Sequence, residues 1–325
     1  MFSKSDLVRA HAVVLQQMLP TPQYIWPLIS RDVGTEVVVK HENHAPTGSF
    51  KMRGGVTFMH WLRRAHPVAA GIVTATRGNH GQSQARAARA AGLRAKVLVP
   101  HGNSVEKNDA MRALGAELIE FGQDFDEARV EAKRISEAEN LFMVPPFHAE
   151  ILRGVATYGL ELFSEHPDLD VVYVPIGCGS GICGLITARN ALGLTTDVVG
   201  VVSNQANAVK LSVAAGRLIE TNSAHTLADG MAVRVPVQAA YDIYASGAAR
   251  IVEVSDSEIG DAMRTYFQAT HNVAEGAGAA ALAAARQERR RLKGKKIAVI
   301  LSGGNVDMPL FQAILAGETP GGGRA

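Results

Sequence analysis

The sequence predicts an α/β fold of open, twisted, mainly parallel sheets with helices on both faces. Three observations carry this. Short β-branched runs alternate with longer helical patterns along most of the 325 residues. The runs are strand-sized and almost continuously apolar, as strands covered on both sides require. The loops with unusual residues each follow a predicted strand, where such sheets bind their ligands.

The first twenty residues place apolar side chains at helical spacing, broken by charges and glutamine. They lack the apolar stretch and the cleavage site of a secretion signal. A strand is predicted over 36–40 (EVVVK), after which Ser49 caps a helix running towards Ala65, with Pro67 beyond its end. A strand at 71–74 leads to an alanine-rich helix at 81–91, closed by Gly92. The rhythm repeats as strand 95–99, helix 105–114, strand 117–121, helix 126–139 and strand 141–144. Four more strands fall at 171–174, 198–202, 251–254 and 297–301, with helices between them. The tail, 317–325, is rich in Gly and Pro and is expected to fray.

The hydrophobic content of 47% supports a real core, and the length suggests about two domains. No sharp linker divides the chain, so two domains would be joined by two crossings. The net charge of +2, from 33 basic and 31 acidic residues, gives no field suited to nucleic acid or to a membrane surface. No apolar run is long enough to span a bilayer. The two cysteines, Cys178 and Cys183, fit a reducing, cytoplasmic setting and form no zinc site by themselves.

Four loops carry chemistry. In 41–55 (HENHAPTGSFKMRGG), Lys51 falls in the first turn of a helix. The positive helix end there lowers an amine's pKa and favours the neutral nucleophile. Taken alone, a surface lysine beside a capping serine is the simpler reading. In 76–82 (TRGNHGQ), Gly78 and Gly81 permit close backbone approach, and Asn79 and His80 offer hydrogen bonds. The free N–H groups of the following helix suit a carboxylate. In 177–184 (GCGSGICG), a glycine-rich turn enters a helix, which is a phosphate cradle in physical terms. The same segment matches the dinucleotide pattern GxGxxG, but the next strand ends in Val202, Ser203 and Asn204, with no acid for a ribose. In 301–307 (LSGGNVD), Ser302 offers a hydroxyl at a strand end.

Together these loops resemble those of the fold-type II pyridoxal-phosphate enzymes, in the branch of threonine dehydratase and serine racemase. The resemblance runs from about residue 16 to 310. It rests on Ser49-Phe50-Lys51 followed by Arg53-Gly54, on Gly78-Asn79-His80-Gly81, and on Ser302-Gly303-Gly304-Asn305, in the family's order. It implies a fold like that of tryptophan synthase β, with two open sheets. A large cofactor-binding domain would comprise 1–69 and 148–325, and a small mobile domain 70–147. It implies pyridoxal 5'-phosphate as cofactor, bonded to Lys51 and packed against Phe50. Asn79 would face the ring hydroxyl and Ser302 the pyridine nitrogen. Gly177, Cys178, Gly179, Ser180 and Gly181 would form the phosphate loop, with Cys178 and Ser180 where glycines are usual. The substrate carboxylate would lie among Ser49, Thr76, Arg77, Gly78 and His80. Asp229-Gly230 resembles a turn near the ring, and Glu275 lies near it without a catalytic role.

The activity implied is loss of water and then ammonia from a small β-hydroxy amino acid such as threonine or serine, giving a 2-keto acid. Lys51 would be the catalytic base. Arg77 stands where racemases of this branch resemble one another in having serine, and arginine is a poor base. If Arg77 reaches the cleft, an acidic substrate such as 3-hydroxyaspartate gains ground, and phenylserine is the bulkier alternative. The cation site of some relatives falls on Val202 and Ala208, so no metal is expected. A homodimer is expected from the relatives, with no nucleic-acid or membrane partner. From another class, the rival is a nucleotide-dependent oxidoreductase resting on the glycine loop. His148 is read as structural, Trp26 and Trp61 as packing, and 289–296 as a solvated basic face.

Overall fold

A computed structural model describes residues 2–320. The chain runs α1 (Lys4–Val14), β1 (Gln23–Ile25), α2 (Pro27–Val33), β2 (Val37–His41), α3 (Lys51–Ala65), β3 (Gly71–Ala75), α4 (Asn79–Ala90) and β4 (Arg94–Val99). It continues α5 (Val105–Ala113), β5 (Glu117–Glu120), α6 (Phe125–Glu139), β6 (Phe142–Met143), α7 (Ala149–Glu165), β7 (Val171–Pro175) and α8 (Ser180–Ala191). It closes with β8 (Asp197–Ser203), α9 (Ala208–Ala215), α10 (Gln238–Gly247), β9 (Arg250–Val254), α11 (Asp256–Thr270), α12 (Gly276–Gln287), β10 (Ile297–Leu301) and α13 (Met308–Leu315).

Two sheets result. Six strands lie in the order β1-β2-β10-β7-β8-β9, and four in the order β5-β4-β3-β6. All pairs are parallel except the edge pair of β1 with β2. This is the predicted fold class. The sequence reading did not separate β1 and α2. Tyr24 and Ile25 on that short edge are half exposed, so no buried apolar run marks them.

The alternation of β10 shows how the large sheet is held. Ile297, Val299 and Leu301 enter one core with Val37, Val39 and α12. Ala298 and Ile300 enter the opposite core with Val38, α7 and α8. Burial on both faces explains the nearly continuous apolar strands, each large side chain contributing roughly 1.5–3 kcal/mol. In the small sheet, Val73 and Leu98 pack on α6, while Val97 and Val99 pack on Met111 of α5.

Two features fix α3, which carries Lys51. Beneath its first turn lies a fully buried ion cluster. Arg53 reaches Glu42 at 2.8 Å and Glu161 at 2.7 Å, and Lys40 reaches Glu161 at 2.6 Å. At its far end, Trp61 and His66 meet Phe142 and His148, with ring centroids 4.8–5.8 Å apart. The chain leaves for the small sheet just after His66 and returns just after Phe142. His148 also caps α7, accepting from the Glu150 N–H at 3.1 Å, which gives it the structural role expected. The tail expected to fray lies, from residue 321 on, outside the described residues.

Candidate active site

The four loops converge at the carboxyl ends of β2, β3, β7 and β10. The first and fourth are zipped together. The Phe50 N–H donates to Ser302 O at 3.1 Å, and the Gly304 N–H to Gly48 O at 2.9 Å. Ser49 therefore does not cap α3 as the sequence suggested. It is drawn into a β-bridge with Gly303, and Phe50 takes the N-cap position with no side-chain bond. The N–H groups of Met52 and Arg53 close that first turn on Ser49 O and Phe50 O, at 3.3 and 3.2 Å.

Lys51 Nζ lies 3.2 Å from Ser180 Oγ and 5.2 Å from the centroid of the Phe50 ring. Loss of solvent lowers its pKa, against the pull of Cys178 and Glu275. Burial raises the Cys178 thiol in turn, with Lys51 opposing. α4 is tied to this turn, since Ser83 Oγ donates to Lys51 O at 2.6 Å.

In the second loop, Thr76 Oγ1 accepts from the Gly78 N–H at 3.1 Å. Asn79 donates from Nδ2 to Glu275 Oε1 at 2.7 Å and accepts from Asn305 Nδ2 at 2.7 Å. His80 is buried and neutral, pushed down to about 3 by desolvation and by Lys51. Arg77 is exposed. In the third loop, a Cβ added to Gly177 would lie 2.1 Å from Gly230 O, so only glycine lets this loop meet the Asp229–Met231 turn. Gly179 has φ +94°, and α8 begins there with no side-chain cap, leaving its first N–H groups for an anion.

Three residues here escaped the sequence reading. Glu275 was placed near the ring but given no part, and burial pushes its carboxyl up to about 7 against the opposing charge of Lys107. Asn305 lay within a quoted motif without a role. Lys107 sits in α5 of the other sheet, where nothing in the sequence marks it. It crosses to pair with Asp229, and its chain packs against Gly78. Burial works against its charge, but Asp229 and Glu275 hold its pKa above the ordinary value. Ser104 Oγ also crosses to Asp307 at 2.5 Å, beside a cavity of about 100 Å³.

A family model described as pyridoxal-phosphate dependent enzyme matches residues 14–303. The chain belongs to this family. Its cofactor is therefore pyridoxal 5'-phosphate, which answers the dinucleotide alternative. An L-threonine ammonia-lyase of Thermotoga maritima is 33% identical over 97% of this chain and 78% of its own. A serine racemase of Schizosaccharomyces pombe is 31% identical over 91% of this chain and 92% of its own. Among solved structures, the processed threonine deaminase isoform 2 of Solanum lycopersicum superposes with TM-score 0.88 at 28% identity, over 97% of this chain and 94% of that one.

The residues present fit the cofactor. A lysine of depressed pKa stands beside a glycine-lined helix start. Buried polar atoms of Thr47, Ser49, His80 and Glu275 have no partner among the described residues. Each such atom costs about 1–3 kcal/mol unless a polar ligand meets it.

Proposed function

We propose that the chain is a pyridoxal-phosphate-dependent dehydratase that converts a small β-hydroxy L-amino acid, threonine or serine by default, to a 2-keto acid and ammonia. The observation that carries the reading is Lys51, opening α3 with a lowered pKa, 3.2 Å from Ser180 of the glycine loop. When bound, the cofactor supplies the electron sink that makes an α-proton removable. Lys51 would hold the cofactor through its neutral amine and would be the base placed to take the substrate's α-proton. The loop Gly177–Gly181, with Cys178, Gly179 and Ser180, gives backbone N–H groups to the phosphate. Phe50 would pack on the ring, Asn79 would meet its hydroxyl and Ser302 would face its nitrogen. A serine there, unlike a carboxylate, would hold no proton on that nitrogen, which suits elimination.

The substrate carboxylate lies at the start of α4, among Ser49, Thr76, Gly78 and His80. Arg77 stays protonated and cannot serve as the second acid–base group that racemisation needs. The unit 70–147 moves against the rest to admit substrate. A homodimer is supported by the exposed apolar side chains Leu19, Tyr24, Ile25 and Leu28 around one sheet edge. The unpaired Cys178 and Cys183 support a cytoplasmic setting.

The test is keto acid release from threonine, serine, 3-hydroxyaspartate and phenylserine by the reconstituted protein, with borohydride trapping and mapping of the adduct. Release from threonine or serine is expected, with the adduct on Lys51. Lys51→Ala should abolish both. Release undiminished in that variant overturns the reading.

A further inference from the structure

We propose that Glu275 is a positioning residue that, with Asn305 on the other side, holds which end of the Asn79 amide faces the cofactor ring. The inference rests on the reading of Asn79 given above. An asparagine amide has a donor end and an acceptor end of nearly equal shape, so its direction must be imposed by its partners. Here the imposition runs through a chain of three side chains. Thr47 O is a backbone carbonyl and only accepts, so Asn305 must turn its Nδ2 towards it, at 2.9 Å. The same Nδ2 then donates to Asn79 Oδ1 at 2.7 Å. That leaves Asn79 Nδ2 to meet Glu275 Oε1, also at 2.7 Å. The chain is anchored by a carbonyl at one end and a carboxyl at the other. The second N–H of Asn79 remains for the ring.

Glu275 is built into place. It is 3% exposed, and its backbone N–H donates to Gly303 O at 3.1 Å. A Cβ on Gly303 would lie 2.4 Å from Glu275 Oε1, so the glycine of the fourth loop makes room for this carboxyl. Although Glu275 precedes α12, its side chain makes no cap bond to that helix. A capping role therefore does not account for a glutamate here. The segment Ser302-Gly303-Gly304-Asn305 thus serves Asn79 twice, through Asn305 on one side and through the space Gly303 leaves for Glu275 on the other.

The test uses full-length apo-protein titrated with pyridoxal 5'-phosphate, read by the dissociation constant and by the position of the cofactor absorbance band. Glu275→Gln keeps an acceptor oxygen and should bind within about threefold of wild type, with an unshifted band. Glu275→Ala should bind at least tenfold more weakly and shift the band. Gly303→Ala pushes the carboxyl aside without removing it and should behave like Glu275→Ala, which guards against a variant that fails to fold. Combining Glu275→Ala with Asn79→Ala should weaken binding no further than Asn79→Ala alone. Wild type that binds, with Glu275→Ala and Gly303→Ala matching it in affinity and band, overturns the inference alone. So does full additivity in the double variant. Wild type that takes up no pyridoxal phosphate overturns the functional reading and the inference with it.

Discussion

At the scale of single residues, the site works by withholding water from groups that prefer it. Lys51 loses solvent and becomes the better nucleophile, and His80 loses it and stays neutral. Arg77 is the opposite case, since it lies in the open. Arg77→Ala should change stability by less than about 0.5 kcal/mol, as exposed substitutions do. It should also leave the ratio of keto acid release from threonine and 3-hydroxyaspartate unchanged. A selective loss on 3-hydroxyaspartate would move acidic amino acids to the front. Lys51, Phe50, Asn79, Ser180 and Ser302 could be singled out from the sequence because each stands in a short motif behind a strand. Lys107 was not, because its partners come from turns more than a hundred positions away.

Among elements, α3 depends most on what lies beneath it. The Arg53 guanidinium serves Glu42 and Glu161 at once, with no solvent to replace it. Arg53→Leu leaves two carboxylates without their main partner and should cost about 3–5 kcal/mol, read as a lower urea midpoint. A loss under 1 kcal/mol would show that Lys40 suffices for both. The strands other than β1 were readable to within a residue or so, since burial writes itself into composition. Helix starts were less so. Ser49 looked like a cap by residue type, but a β-bridge to Gly303, 254 positions on, claimed its backbone first. Local preference yielded to a long-range contact that no short window contains.

For the whole molecule, acid is the expected weakness. Burial pushes His41 down to about 4, as it does His80 to about 3, while unfolded histidine binds its proton near 6.5. Below that pH the unfolded chain holds more protons, so stability falls as pH drops from 6.5. Glu161 adds to the loss. Burial favours its proton, but His11 and Arg53 outweigh that and keep it ionised in the fold, so acidification below its unfolded value also costs stability. At about 1.4 kcal/mol per unit, His41 alone accounts for on the order of 3 kcal/mol by pH 4. The thermal midpoint should fall between pH 6.5 and 4, with Glu275 offsetting part of the loss because burial raises its carboxyl and it takes up its proton in the fold first. A midpoint that holds level to pH 4 would refute this. The rings of Trp61, His66, Phe142 and His148 bear on how such a molecule opens. Both strings of backbone that join the two sheets pass through that one stack, which would make it the single pivot of any door between them. If the unit 70–147 moves as proposed, the lobe around Lys107 would swing about that stack, its free edge travelling furthest.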